Sequence, residues 1–239
     1  MVLRVDLHMH SCLSPCGGEE MTPNDLVNMA WLKGLDAIAV ADHNSARNLP
    51  ACAQVAAARG LVLVPALEVT CAEEVHLLCY FHDVAAALAM GEWLYQRLPD
   101  VRNRAAFFGE QQVMDAEDRV VAVEEKLLTQ AVRATLAQVA AQAAALDGVA
   151  VPAHINRGAN SLLGVLGMFP ADVCFTAVEI DPRAPAPHAR LLPPGLRILN
   201  ASDAHALEAI AEPGFVLEAE ERSVAAILRA LRAGETPQG

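Results

Sequence analysis

VDLHMHSCLSPCGGEE, residues 5–20, places two histidines, two cysteines and three acidic residues beside the first strand of the chain. Such groups are costly to bury without partners, so the stretch is either solvated or binds something. Val5, Leu7 and Met9 alternate with Asp6, His8 and His10 as residues of a strand do, which puts both imidazoles on one face. Whether this is a site depends on where the other polar residues of the chain fall.

Outward from this stretch, strands and helices alternate. Thr22-Pro23 opens a helix through Trp31, with proline at a tolerated first-turn position. DAIAVAD reads as a short strand, LPACAQVAAAR as a helix, LVLVPALEV as a buried strand and EVHLLCYF as an alternating one. A helix, DVAAALAMGEWLYQRL, follows. Residues 99–131 break the rhythm as a polar insertion, with a hairpin expected around Ala116–Asp118. Regularity returns with a helix near 134–146, strands GVAVPAH, FTAVEI and LRILNAS, a short strand at GFVLE, and the helix SVAAILRALRA. About seven βα units on 239 residues predict a single α/β domain over 1–239, built as a distorted seven-stranded (β/α) barrel.

The polar residues fall at matching places. His8 and His10 end the first strand, Asp42-His43 the second and Glu68 the third; His76 lies in the fourth, His154 ends the fifth, and Asp203 and His205 follow the seventh. The carboxyl ends of barrel strands form the functional face, so six of the eight histidines converge on one rim and only His82 and His188 fall outside it. Each residue alone has a bland reading: a hydrogen-bonded core histidine, a buried ion pair, a helix cap. Together they would leave many polar groups unpaired unless divalent ions satisfied them. Imidazole and carboxylate donors suit zinc, manganese or iron.

Composition narrows the function. Hydrophobic residues make up 54% of the chain, enough for a core without disulfides. The formal net charge of −12 argues against long duplex nucleic acid and anionic membranes as partners, but not against a small phosphorylated substrate held through metal ions. The six cysteines show no zinc-finger pairing and no secretory spacing, and no signal pattern opens the chain, so reduced thiols in a cytoplasmic protein are expected. No segment reads as membrane-spanning.

DLHMHS, ADHN, ALEVT followed by EVHLL, PAHINR and NASDAH resemble, in order, the five motifs of the polymerase and histidinol phosphatase (PHP) family. The resemblance runs from Asp6 to about Ala206, and HSCLSPCG and HINRGANSLLG are most similar to the stand-alone metal-dependent phosphoesterases of that family. It implies two to three divalent ions (Mn, Zn or Fe) at the carboxyl-end face. By motif, a first ion would take His8, His10, Glu68 and Asp203; Glu68 would bridge to a second held by His76 and His154. A third would take His43 and His205 with a ligand from the first motif. Many family members carry Asp or His there, where this chain has Ser14-Pro15-Cys16-Gly17, so the ligand is open between Cys16, Glu19, Glu20 and water. Cys12 reads as structural, and Asp6 as a residue that steadies a ligand histidine.

The implied reaction is phosphoester hydrolysis by a metal-activated water on a small phosphorylated metabolite, a nucleotide (a bisphosphate among them) or a short oligonucleotide. Arg157 is placed to fork onto the phosphate and to touch substrate alone, and metal-bound water, His43 and His205 are the candidate proton donors to the leaving group. Arg97, Arg102 and Arg104 read as a solvated surface group. Two alternatives remain. One is an amidohydrolase-type C–N hydrolase, which the scarcity of lysine (Lys33 and Lys126 only) disfavours because many such enzymes bridge their metals with a carboxylated lysine. The other is a catalytically silent metal scaffold.

Overall fold

A computed structural model describes residues 1–210 and 215–234. Among the described residues the strands are β1 Val2–Met9, β2 Ala37–Val40, β3 Val62–Thr70, β4 His76–Tyr80, β5 Gln112–Met114, β6 Val120–Val123, β7 Val149–Pro152, β8 Ala177–Glu179, β9 Arg197–Leu199 and β10 Val216–Glu218. The helices are α1 Pro23–Leu32, α2 Leu49–Arg59, α3 Val84–Tyr95, α4 Ala105–Phe108, α5 Leu136–Ala145, α6 Leu162–Leu166 and α7 Val224–Ala233. Gly214, the first residue of the expected GFVLE strand, lies outside the described residues, as do 211–213 and the last five residues of the expected domain, 235–239.

Local chemistry sets most of these boundaries. The hydroxyl of Thr22 accepts the Asp25 N–H, and Pro23 opens α1 where its missing N–H costs nothing. Asp83 caps α3 and Ser223 caps α7, while Thr135 and Gln138 form a reciprocal capping box on α5. Gly60, at φ +64°, takes the left-handed turn that ends α2.

The principal sheet has six strands in the order β10-β1-β2-β3-β4-β7, and β8 pairs with β9 separately. β1, β2 and β3 run parallel, but β4 is antiparallel to both β3 and β7, and β10 is antiparallel to β1. The expected seven-stranded barrel is therefore not one continuous ladder. Only residues 71–75 separate β3 from β4, too few for the crossover that a parallel pair needs, so β4 turns back. The parallel β8–β9 pair fills the gap between β7 and β1. Ile155 N–H donates to the Glu179 carbonyl (2.9 Å) on one side, and His10 N–H to the Ala204 carbonyl (2.9 Å) on the other.

Reversal of β4 decides where His76 lies. As the first residue of β4 it pairs with Thr70, the last of β3, and so reaches the rim that Glu68 approaches from the other strand. Around this framework one buried cluster joins Leu3, Val5 and Leu7 to Ala37, Ala39, Val64 and Ala66 and to Ile227 and Leu231 of α7. A second packs Ile38, Val40, Leu67 and Val69 with Leu26 of α1, Cys52 of α2 and Met90 of α3. The β5–β6 hairpin docks by its tip: the Asp118 carboxylate accepts from Thr22 Oγ1 (2.7 Å) and from the Asn24 N–H (3.0 Å) at the start of α1. No helix among the described residues is long and apolar enough to cross a membrane.

Candidate metal centre

His8 and His10 leave the end of β1 with their tautomers fixed by neighbours. His8 Nδ1 donates to Glu179 Oε2 (2.9 Å), which leaves its Nε2 lone pair facing the cavity. His10 Nδ1 lies 3.1 Å from Ser14 Oγ, whose own proton goes to Asp42 Oδ1 at 2.7 Å. That hydroxyl must therefore accept from His10, and it also accepts the His43 N–H (3.1 Å). Asp42 in turn accepts Ser11 N–H and Oγ–H (2.8 and 2.6 Å), so a buried carboxylate orients the first motif through two serines.

The two Nε2 atoms come to rest 3.2 Å apart, each within 3.3 Å of Asp203 Oδ1. Glu68 completes the group, with Oε1 3.5 Å from His8 and Oε2 3.3 Å from His10. Two imidazole lone pairs and two carboxylates, all buried except the half-buried Asp203, satisfy one another only around a cation. The carboxylates draw each imidazole toward its charged form. Burial opposes charging His10, but its hydrogen bonds to Asp203 and Glu68 outweigh burial and hold its pKa at about 9; His8 is raised for the same kind of reason by Glu179, Asp203 and Glu68. Burial likewise pushes Glu68 and Asp203 up, and the surrounding imidazoles overcome it and hold both well below the usual carboxylate range. A divalent ion would displace these protons, and the donor set fits one.

Glu68 is the hub. Besides His8 and His10, its Oε1 lies 2.8 Å from His76 Nδ1 and 3.1 Å from His154 Nε2, and its Oε2 lies 3.2 Å from His43 Nδ1. His43 Nδ1 and His154 Nδ1 are buried without a hydrogen bond. Among the described residues, three sets have donor atoms within 4.8 Å of one another inside each set: His8, His10, Glu68 and Asp203; His43, Glu68 and His76; and His10, Cys16, His43 and His205. His43 thus joins Glu68 and His76 in one set; His154, which the motif resemblance implied beside them, lies 3.1 Å from Glu68 Oε1 with its ring edge-on to that of His76. Glu19 and Glu20 are exposed and join none of them. Burial lowers the His43 pKa well below the usual range, burial and His10 lower that of His205 to about 4, and burial raises the Cys16 thiol.

Backbone conformation aims several of these groups. His154 (φ 28°), Asp203 (φ 50°) and Asn44 (φ 51°) all take positive φ at strand ends on the rim, a strained state tolerated where a site fixes it. Asn44 also donates to the carbonyls of Leu128 (2.7 Å) and Gln130 (3.0 Å), tying residues 128–130 to the cavity wall.

Arg157 differs from its sequence expectation. Rather than pointing free toward substrate, its Nη1 donates to Asp203 Oδ2 (2.5 Å), and its Nε and Nη2 contact Asp181 Oδ2 at 2.8 and 2.7 Å. Asp181, held at a pKa of about 2 because hydrogen bonds from Arg183 and Arg157 outweigh its desolvation, is a site-supporting residue that the motifs did not disclose. Glu179 is another, and the available signal was its place at the end of FTAVEI, a strand end like those of the other site residues. Asp6 accepts from Ser202 N–H (3.1 Å) and Oγ–H (2.6 Å), next to Asp203; Glu179, not Asp6, holds the His8 imidazole. Arg97 stacks on Trp93, Arg104 lies over Phe107, and Arg102 pairs with Glu125.

No family model matches the chain, and no curated protein sequence does. Solved structures do. The lesion-specific endonuclease PfuEndoQ from Pyrococcus furiosus superposes with a TM-score of 0.68 at 20% identity, over 97% of this chain and 56% of that one. A protein from Bifidobacterium adolescentis assigned as a metal-dependent phosphoesterase gives 0.60 at 21% identity, over 98% and 97%. A two-domain protein from Bacteroides vulgatus containing a predicted PHP-like metal-dependent phosphoesterase gives 0.57 at 18%, over 97% and 62%. The chain thus spans little more than half the length of the endonuclease.

These likenesses correct one expectation. Endonuclease Q has been solved with a 27-mer duplex carrying an abasic lesion at its active site, and that complex matches over 97% of this chain with a TM-score of 0.66. A net charge of −12 therefore does not bar this fold from long duplex nucleic acid. Net charge sums the whole surface, whereas binding responds to the local field, and metal ions and parts of a protein beyond the matched region also contribute to it. The fold of this chain is that of the PHP-like metal-dependent phosphoesterases, the family that its five motifs resemble.

Proposed function

We propose that the chain is a hydrolase that cleaves phosphoesters with two or three divalent ions held by His8, His10, Glu68 and Asp203, by Glu68 with His76 and His154, and by a further set that includes His43 and His205. The observation that carries this reading is the convergence of the His8 and His10 Nε2 atoms on Asp203 and Glu68, around a point where only a cation relieves the crowding. Bound ions would supply an activated water and a positive field for the phosphoryl oxygens.

The chain's own residues do the rest. Glu68, with imidazoles on both oxygens, is the carboxylate suited to span two ions. Asp203 is fixed by Arg157, and three guanidinium contacts leave two of that group's five N–H donors for a phosphate oxygen. The cavity over the site, about 710 Å³, is lined by Arg157, His205, Thr70, Asn160 and Gln130 among others and is the size of a nucleotide-scale ligand. It admits a phosphate with a nucleoside-sized substituent, presented by a metabolite, a nucleotide or a nucleic-acid strand. His43 and His205 line it; where they hold an ion, water on that ion would be the proton donor to the leaving group. Lys33 donates to the Ile210 carbonyl and Lys126 to that of Tyr95, so neither serves as a carboxylated bridge, which favours phosphoester over C–N chemistry.

The test is reconstitution of chelator-stripped protein with manganese, zinc or ferrous iron. It would be assayed against phosphomonoesters, phosphodiesters, nucleotide bisphosphates, and single-stranded and abasic duplex DNA. Metal-dependent hydrolysis of at least one class is expected, and Asp203→Asn abolishes it. Bound metal with no turnover of any of them would favour the silent scaffold.

A further inference from the structure

We infer that Cys16, His43 and His205 form a site for a thiophilic divalent ion, zinc or ferrous iron, chemically distinct from the carboxylate-bridged sites around Glu68. This deepens the proposed hydrolase function by assigning the ligand of its third ion, and so rests on that reading.

Four donors, from His10, Cys16, His43 and His205, lie within 4.8 Å of one another. His10 cannot serve there and at the first site together. Its Nδ1 is committed to Ser14 and its Nε2 lies 3.1 Å from Asp203, so its one free lone pair belongs with His8, Glu68 and Asp203. Three ligands remain, one thiolate and two imidazoles. That is the three-ligand pattern of a zinc ion that keeps a fourth position open to water or a phosphate oxygen. Bond lengths at such an ion put sulfur and nitrogen about 3.6 Å apart, within the present spread of donor positions. His43 is 6% exposed, and its Nδ1, 3.2 Å from Glu68 Oε2, makes no hydrogen bond, so no hydrogen bond competes with a metal for that imidazole nitrogen.

The loop that carries Cys16 is held in place for this. Gly17 N–H donates to the Ser14 carbonyl (2.9 Å), and Gly18 N–H donates to the carbonyl of His205 itself (2.7 Å). A side chain at Gly17 would meet the Ser11 carbonyl oxygen at 2.4 Å, so the turn requires glycine. Cys16 and His205, 189 positions apart in sequence, are thereby fixed across one hydrogen bond, and both line the cavity. Metal binding replaces the thiol proton, which leaves to solvent, with a sulfur–metal bond. A thiolate selects zinc and ferrous iron over manganese, so this position and the carboxylate-rich position differ in preference.

The test uses the full chain reconstituted anaerobically with cobalt(II). Wild type should show a thiolate-to-cobalt charge-transfer band in the near ultraviolet. Cys16→Ala should lose the band and one equivalent of metal, retain the remaining ions, and match wild type in far-ultraviolet circular dichroism. Cys174→Ala, which alters another exposed thiol, should keep the band. Cys16→Asp should restore the lost ion without the band. Absence of the band in wild type, or its persistence in Cys16→Ala, overturns the inference and leaves the hydrolase reading standing if the carboxylate sites still fill. Failure of wild type to bind any cobalt overturns both.

Discussion

Glu179→Gln is the substitution that separates a positioning carboxylate from a packing one. Both oxygens of Glu179 accept: Oε2 from His8 Nδ1 at 2.9 Å and Oε1 from the His154 N–H at 3.1 Å. Glutamine offers one oxygen and one NH2 group, so one of these N–H donors must face another donor. If the amide nitrogen faces His8, the imidazole is driven to carry its proton on Nε2 and loses the lone pair aimed at Asp203 and Glu68. If it faces His154, a buried backbone N–H is stranded at a residue already strained at φ 28°. Stranding a buried donor costs about 1–3 kcal/mol. Loss of a group that orients a ligand histidine typically weakens metal binding by about 10- to 100-fold, or roughly 1.4–2.8 kcal/mol. Competition titration against a chromophoric chelator measures the affinity, and thermal unfolding with and without metal shows how the loss divides between binding and folding. A Glu179→Gln protein with wild-type affinity for every ion would refute the assigned role.

Arg157→Ala removes the contacts to Asp203 and Asp181 and should lower kcat/KM by about tenfold to a few hundredfold. Steady-state kinetics on an active phosphoester checks it, and Arg157→Lys, which keeps the charge but loses the two-pronged geometry, should recover only part. Thr135→Ala breaks the capping box of α5 and should cost about 1 kcal/mol in denaturant unfolding, with metal content and activity unchanged. A loss of metal there would mean that α5 couples to the site, which no contact described above provides.

Local sequence determined most of the elements and pointed to the histidines, Glu68 and Asp203 that the structure brings together. Strand alternation in VDLHMH aimed His8 and His10 together, Thr22-Pro23 announced the start of α1, and strand-end polar residues marked the rim, because each depends only on near neighbours in the chain. The direction of β4 was also written in the sequence, as the short connection at 71–75, but it carries less signal than the repeated βα rhythm that pointed to a parallel barrel. Which groups meet was decided by tertiary structure. Glu179 reaches His8 from 171 residues away, Arg157 pairs with Asp203 and Asp181 at the cavity wall, and the tie from Gly18 to His205 brings Cys16, rather than Glu19 or Glu20, to the third donor set. Such pairings follow from how strands β1, β7, β8 and β9 are laid side by side. That order is set by burial and hydrogen bonding over the whole sheet, and no local periodicity records it.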